Sequence, residues 1–96
     1  MPEKLFQVSL EVVITGGGRL SHAIRTLVLP YVPFVGLIFE LETLTVGVQS
    51  VQWNVAQEVF KAYSIHRIGY GDPVEELLGS YRESGFEVKD LVGEKS

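Results

Sequence analysis

The sequence predicts a small α+β fold in which an antiparallel sheet carries two helices on one face. Three patterns lead to this prediction. The chain begins with a two-residue alternation typical of a strand, continues with an apolar spacing typical of a helix, and has a second helical pattern near its end. The stretches 26–39 and 43–57 contain no charged residue, and the short segment between them contains only Glu40 and Glu42. We therefore expect both stretches to lie in a core or against a partner.

Residues 4–15 are predicted to form the first strand. Their side chains alternate between an apolar set and a mostly polar set, which indicates a strand with one buried face. The predicted inward set is Phe6, Val8, Leu10, Val12 and Ile14, and the outward set includes Gln7, Ser9 and Glu11. The glycines that follow end the strand.

Residues 19–29 are predicted to form the first helix, which ends at Pro30. Apolar residues recur at intervals of three and four, as one face of a helix requires. They are Leu20, Ala23, Ile24, Leu27 and Val28. A strand remains the alternative, because residues 26–29 have high β-propensity.

Residues 34–45 are predicted to form the next strand, and a turn is expected within residues 44–47. Two sets of side chains alternate along this segment, and both are apolar at its start, as in a strand central to a sheet. The sets are Leu37, Phe39 and Leu41 on one side, and Ile38, Glu40 and Glu42 on the other.

Residues 48–65 allow two interpretations. Their content of Val, Trp, Phe, Tyr and Ile favours a long strand, bent near Gln57. The alternative is a strand up to Asn54 followed by a short helix, since Asn54 and Gln57 resemble a capping box. The pattern leaves residues 55–64 undecided between strand and helix.

Residues 73–84 are predicted to form the second helix. Asp72 suits the N-cap, and Pro73 suits the first helical position because its missing N–H needs no partner there. Gly85 suits the position just past the helix end, and a short strand over 86–92 follows. The apolar stripe of this helix is Val74, Leu77, Leu78 and Tyr81.

The elements therefore follow the order of a ferredoxin-like βαββαβ sandwich. Residues 1–92 are expected to form a single α+β domain, and residues 93–96 a polar tail. The alternative fold is a small all-β barrel with one C-terminal helix.

Composition excludes several classes of function. The 96-residue chain has no Cys, so it has no disulfide, thiolate metal site or cysteine nucleophile. A net charge of −4 argues against nucleic acid as a partner. The uncharged runs are too short for a membrane span, and prolines interrupt the first of them. With no signal-peptide pattern at the start, these features favour a cytoplasmic protein.

The junction from Gly16 to Arg19 is the first candidate site. A strand that runs through Gly16, Gly17 and Gly18 into a helix would present backbone N–H groups to an anion, with Arg19 as a charged donor. Ser21 or His22 would add a further contact. The spacing matches neither nucleotide-binding fingerprint, and the favoured interpretation is a flexible connection in which the glycines simply allow positive φ.

The histidines are the second set of candidates. His22 and His66 lack the spacing of a metal site, but either is a possible base in catalysis. Arg67 and Tyr70 lie beside His66 around two glycines, as in a loop that lines a ligand pocket. No nucleophile motif and no cofactor motif is present, so no catalytic residue, metal or cofactor is assigned.

The aromatic residues suggest how the protein associates. Phe34, Phe39, Trp53 and Phe60 lie on the predicted central strands, and some are expected on a sheet face that no helix covers. We therefore expect a homo-oligomer, most simply a dimer, that works in binding or assembly, with another protein as a further candidate partner. The alternatives are a regulatory domain that binds an anionic metabolite at Gly16–Arg19, and a small enzyme that uses His22, His66 or Arg67 at a subunit boundary.

Overall fold

The computed structural model describes residues 4–16, 18–69 and 73–92, with the side chains of residues 90–92 excepted. This part of the chain forms seven strands and one helix. The elements are β1 (Phe6–Gly16), β2 (Arg19–Leu29), β3 (Ile38–Glu40), β4 (Thr45–Gly47), β5 (Ser50–Asn54), β6 (Val59–Arg67), α1 (Val74–Glu83) and β7 (Glu87–Val92).

Five strands form one sheet in the order β5-β6-β1-β2-β7. β1 and β6 are parallel, and the other neighbours in this sheet are antiparallel. β3 and β4 form a separate antiparallel hairpin. The face of the large sheet that carries Leu10 is called the inner face below, and the face that carries Glu11 is called the outer face.

β1 and β2 are paired along their entire length, from Phe6 opposite Leu29 to Gly16 opposite Arg19. The inner-face side chains of β1 are almost completely buried: Val8, Leu10, Val12 and Ile14 expose at most 1% of their surface. The predicted first strand and these four members of its inward set are therefore confirmed, while Phe6 is only half-buried.

The predicted helix over residues 19–29 is wrong, because these residues form β2. The apolar spacing arises for a different reason. β2 lies between β1 and β7, and both of its faces contain apolar residues: Ala23 and Leu27 on the inner face, Ile24 and Val28 on the outer face. When both faces of a strand carry apolar residues, those residues can recur every three or four positions, which is also the spacing of one face of a helix.

The predicted strand over 34–45 is a short hairpin instead. Only residues 38–40 are in β3, the turn falls at residues 41–44, and residues 45–47 form β4 where the sequence predicts a turn. The alternation itself is correct. Phe39 is buried and Leu37 and Leu41 are less exposed than Ile38, Glu40 and Glu42 on the other side.

Residues 48–65 form two strands with a turn at residues 55–58. Neither the continuous strand nor the short helix is correct, although the first strand does end at Asn54. The Asn54 side chain accepts a hydrogen bond from the N–H of Gln57 at 2.8 Å, so the capping contact exists but closes a turn. Glu58 has a positive φ of 57°, which reverses the chain into β6.

The second predicted helix is confirmed as α1, with Leu78 and Tyr81 buried. Gly85 has a φ of +85°, and its N–H and that of Phe86 bond to the carbonyls of Arg82 and Tyr81, both at 3.0 Å. This is a Schellman motif. Pro73 is the N-cap residue and not the first helical residue, while Asp72 and the predicted tail 93–96 lie outside the described residues.

The core lies between the inner face and a second layer made of α1 and the β3–β4 hairpin. Buried residues of the hairpin region, Phe39, Val46 and Val48, join Leu78 and Tyr81 of α1 in one cluster with β1. The two-helix ferredoxin-like arrangement is therefore wrong. A sheet with one C-terminal helix, as in the alternative prediction, fits, although the described strands form an open sheet instead of a closed barrel.

Replacement of Gly16 by Ala should destabilise the fold. Gly16 has a φ of +137°, and a Cβ atom there would lie 2.6 Å from the backbone oxygen of Ile68. The backbone strain alone is worth about 1–3 kcal/mol, and the clash adds to it. Gly79→Ala is the control, because a Cβ in α1 at that position meets nothing within 4 Å and should stabilise by about 0.5–1 kcal/mol. Urea unfolding would measure both, and equal effects would show that Gly16 is under no such constraint.

Candidate functional site

The glycine junction is a hairpin turn and not a helix start. Gly16 and Gly18 both have positive φ, while Gly17 lies outside the described residues. Arg19 begins β2, and its guanidinium is 2.6 Å from the carboxylate of Glu75 on α1. No helix begins at this turn, and its arginine is engaged by Glu75, which lies in the first turn of α1.

The two histidines lie on opposite faces of the sheet. His22 is opposite Val13 on the outer face, and His66 is opposite Ile14 on the inner face. Arg67, the last residue of β6, is exposed on the outer face, and Tyr70 lies outside the described residues. Among the described candidates, the structure therefore does not bring His22 and His66 together into one site.

His22 belongs to a polar cluster on the outer face. Its Nε2 lies 3.2 Å from Oε1 of Glu11, whose Oε2 accepts a hydrogen bond from Ser9 at 3.3 Å and lies 3.9 Å from Nζ of Lys61. Glu11 is only 8% exposed although α1 packs on the opposite face. A carboxylate this buried needs such donors. The cluster therefore satisfies Glu11 and orients the imidazole.

Alternation alone predicts Glu11 only as an outward polar residue. A signal for its burial was present, since Glu11 is the one charged residue between Lys4 and Arg19. A lone charge in the middle of a strand that has neighbours on both sides will be shielded by their side chains. Its neighbours β2 and β6 provide His22 and Lys61.

His66 lines a cavity of about 280 Å³ between β6 and α1. Within the described part of the chain, it is also lined by Pro73, Glu76, Leu77 and Ser80. Nδ1 of His66 lies 3.0 Å from the hydroxyl of Tyr81, which fixes the orientation of the ring. The cavity therefore combines an oriented imidazole and a carboxylate with an apolar wall.

A groove of about 340 Å³ lies at the other end of the sheet, where β1 begins. Three aromatic rings form it: Trp53 and Phe60 have centroids 4.7 Å apart, and Phe6 lies 5.9 Å from Phe60. The ammonium group of Lys4 is 5.8 Å from the centre of the Phe6 ring, and Glu58 is also at the groove. Trp53 is 51% exposed, so much of this aromatic surface faces solvent.

Exposed apolar side chains are concentrated in one part of the sequence. Of the ten large hydrophobic residues that are exposed among the described residues, eight lie between Val28 and Val55. We call this set the apolar surface, which includes residues on both faces of the sheet, with Val28 on the outer face and Trp53 on the inner face: Val28, Tyr31, Val32, Phe34, Val35, Ile38, Trp53 and Val55. Of the four aromatic residues that the sequence predicts on central strands, Phe34 and Trp53 belong to this surface, while Phe39 is buried and Phe60 is half-buried.

The buried phenol of Tyr81 should make stability depend on pH above pH 10. Burial raises the pKa of Tyr81 to about 12 from an ordinary value of 10.0. Between these values the unfolded chain ionises while the folded protein does not, so the free energy of unfolding should fall by about 2–3 kcal/mol. Tyr81→Phe should abolish this decrease in the free energy of unfolding at high pH. Tyr31→Phe, which changes an exposed tyrosine, should leave the decrease in place. Urea unfolding from pH 9 to 12 measures the effect, and parallel curves for the wild type and Tyr81→Phe would contradict it.

Neither a metal site among the described residues nor a similarity to a known protein helps to assign a function to these sites. Within the described residues, no group of three or more His, Asp or Glu side chains is arranged to hold a metal ion. The one described helix is too short and too polar to cross a membrane. Comparison with known protein families, with curated proteins and with solved structures finds no match to this chain.

Proposed function

We propose that this protein is a non-catalytic assembly module that associates with a second copy of itself through the apolar surface. The observation that carries the proposal is the concentration of exposed hydrophobic side chains between Val28 and Val55. Single exposed hydrophobic residues are ordinary, but eight of the ten described ones fall in one segment of the chain, which makes this segment the candidate for an interaction surface.

The dimensions of the molecule support association. The protein extends 51 × 27 × 21 Å and exposes 6171 Å². A compact monomer of this mass is expected to expose about 5,500 Å². The excess fits an elongated molecule, and contact with a partner would remove part of the exposed apolar area from water, which is favourable.

The charge distribution favours an identical partner. The chain carries a net charge of −4, so two copies repel each other over most of their surface. Between Arg25 and Glu58, however, the only charged residues are Glu40 and Glu42. Two copies that meet through this segment bring few like charges together, and the segment has little charge with which to select a strongly charged partner.

Lysine substitutions within the apolar surface should weaken association. Val35 and Val55 are 65% and 76% exposed, so the double variant Val35→Lys/Val55→Lys should fold normally and place uncompensated charges in the contact. We expect the wild type to sediment as a dimer at micromolar concentration, with the variant dissociating at least about tenfold more readily.

Ile65→Lys provides the matched control, because Ile65 is an exposed hydrophobic residue of the outer face that lies outside the apolar surface. This variant should sediment like the wild type. A wild-type mass of 10.7 kDa throughout the micromolar range would overturn the proposal. Equal weakening by Ile65→Lys would show that the contact lies elsewhere.

The cavity beside His66 supports a second candidate function, the binding of a small polar ligand. Its volume of about 280 Å³ is close to the lower limit for ligand pockets, so the ligand would be small. Glu76 supplies a carboxylate for an amino group, and the oriented ring of His66 supplies a second hydrogen-bonding partner. A small amine with a neighbouring hydroxyl group has the required chemistry.

Ethanolamine and related amino alcohols are suitable probes of this cavity. Binding should shift the amide NMR signals of Leu77 and Ser80, which line it. Glu76→Gln and His66→Ala should each weaken the response, while Glu83→Gln, a change on the same helix outside the cavity, should not. Absence of a shift at millimolar probe, or a shift that survives both substitutions, would argue against this function.

A further inference from the structure

We infer that two copies pair through the free edges of β5, antiparallel about a two-fold axis at Gln52, so that two five-stranded sheets become one sheet of ten strands. This inference rests on the proposed function and specifies its geometry. Among the described strands, β5 is an outermost one that pairs only with β6. Its other edge presents backbone N–H and C=O groups that a second strand can bond.

The two edges of the sheet differ in charge. β7, at one edge, has the sequence EVKDLV, with three charged residues among six. β5, at the other edge, has the sequence SVQWN, with none. Charged residues and prolines are the usual protection of an edge strand against pairing. β7 therefore carries such protection, and β5 does not.

The register about Gln52 also covers the exposed part of Trp53. Val51 and Trp53 both project to the inner face, since they lie opposite Ala62 and Phe60 of β6. A two-fold axis at Gln52 places Val51 of each copy directly beside Trp53 of the other. Such aromatic and β-branched pairs stabilise antiparallel strands. The Trp53 ring, half-exposed in one copy, thus gains an apolar neighbour across the contact.

The outer face of the same pairing is polar and uncharged. Ser50 of one copy lies opposite Asn54 of the other, and Gln52 lies opposite its own symmetry mate. No like charges meet on either face of the strand pair, because β5 carries no charged residue. The contact uses the same residues on both copies, so it closes as a dimer and does not propagate into a filament.

Single cysteines test the register directly, because the chain contains no other Cys. Residues directly opposite in an antiparallel pair have Cα atoms about 4.5–5.5 Å apart, within the range that a disulfide spans. Gln52→Cys should therefore form a disulfide-linked dimer under mild oxidation. Ser50→Cys and Asn54→Cys are matched controls on the same face, and each should lie roughly 13 Å from its symmetry mate and stay reduced.

Charge exchange at the axis gives an independent test. Gln52→Lys and Gln52→Glu each place two like charges directly opposite, which should weaken the dimer roughly two- to fivefold. An equimolar mixture should form a heterodimer tighter than either variant alone. If a substitution only destabilised the strand, the mixture would dimerise as weakly as either variant alone.

The outcomes separate this inference from the function on which it rests. A wild-type monomer would overturn both. A wild-type dimer in which Gln52→Cys cross-links no better than the two controls would overturn the β5 pairing and leave the proposed association in place. Selective cross-linking at position 52, together with recovery on mixing, would support both.

Discussion

The unbroken pairing of β1 with β2 is the constraint on which the rest of the structure depends. Eleven residues of each strand are in register, and one further strand pairs with each side of this hairpin: β6 joins β1 and β7 joins β2. Its inner face forms one side of the hydrophobic core. The tight turn at its end brings Gly16 against Ile68, whose N–H bonds to the carbonyl of Thr15 at 2.8 Å. The chain after β6 is thereby held against the hairpin.

Arg25 connects the inner face of the sheet to the second layer, which is made of α1 and the β3–β4 hairpin. It is the inner-face residue opposite Leu10, and its guanidinium donates to the carbonyl of Ser84 at 2.5 Å and to Glu42 at 2.9 Å. The hydrogen bond from Arg25 also holds the pKa of Glu42 below its ordinary value. One cation thus joins the C-terminal end of α1 to the β3–β4 turn. Thr43 adds a second link, since its hydroxyl donates to the Ser80 carbonyl at 2.7 Å.

The elements that could be predicted are those whose pattern has one interpretation. β1 has a single apolar face and α1 has local stop signals, and both were predicted correctly. β2 was not, because it carries apolar residues on both faces, and their spacing in the sequence fits one face of a helix as well as two faces of a strand. For the candidate sites, the sequence points to His66 but not to its partner Tyr81, since the contact joins β6 to α1.

The uncharged segment reaches the surface for a geometric reason. A hairpin that packs on a sheet buries one face only, and side chains alternate between the two faces. β3 and β4 bury Phe39 and Val46, so Ile38 is necessarily exposed. β5 buries little because no described strand lies beyond it, and Trp53 remains half-exposed. An apolar segment of this length therefore cannot be fully buried by so small a fold, and the proposed association with a second copy would cover part of it.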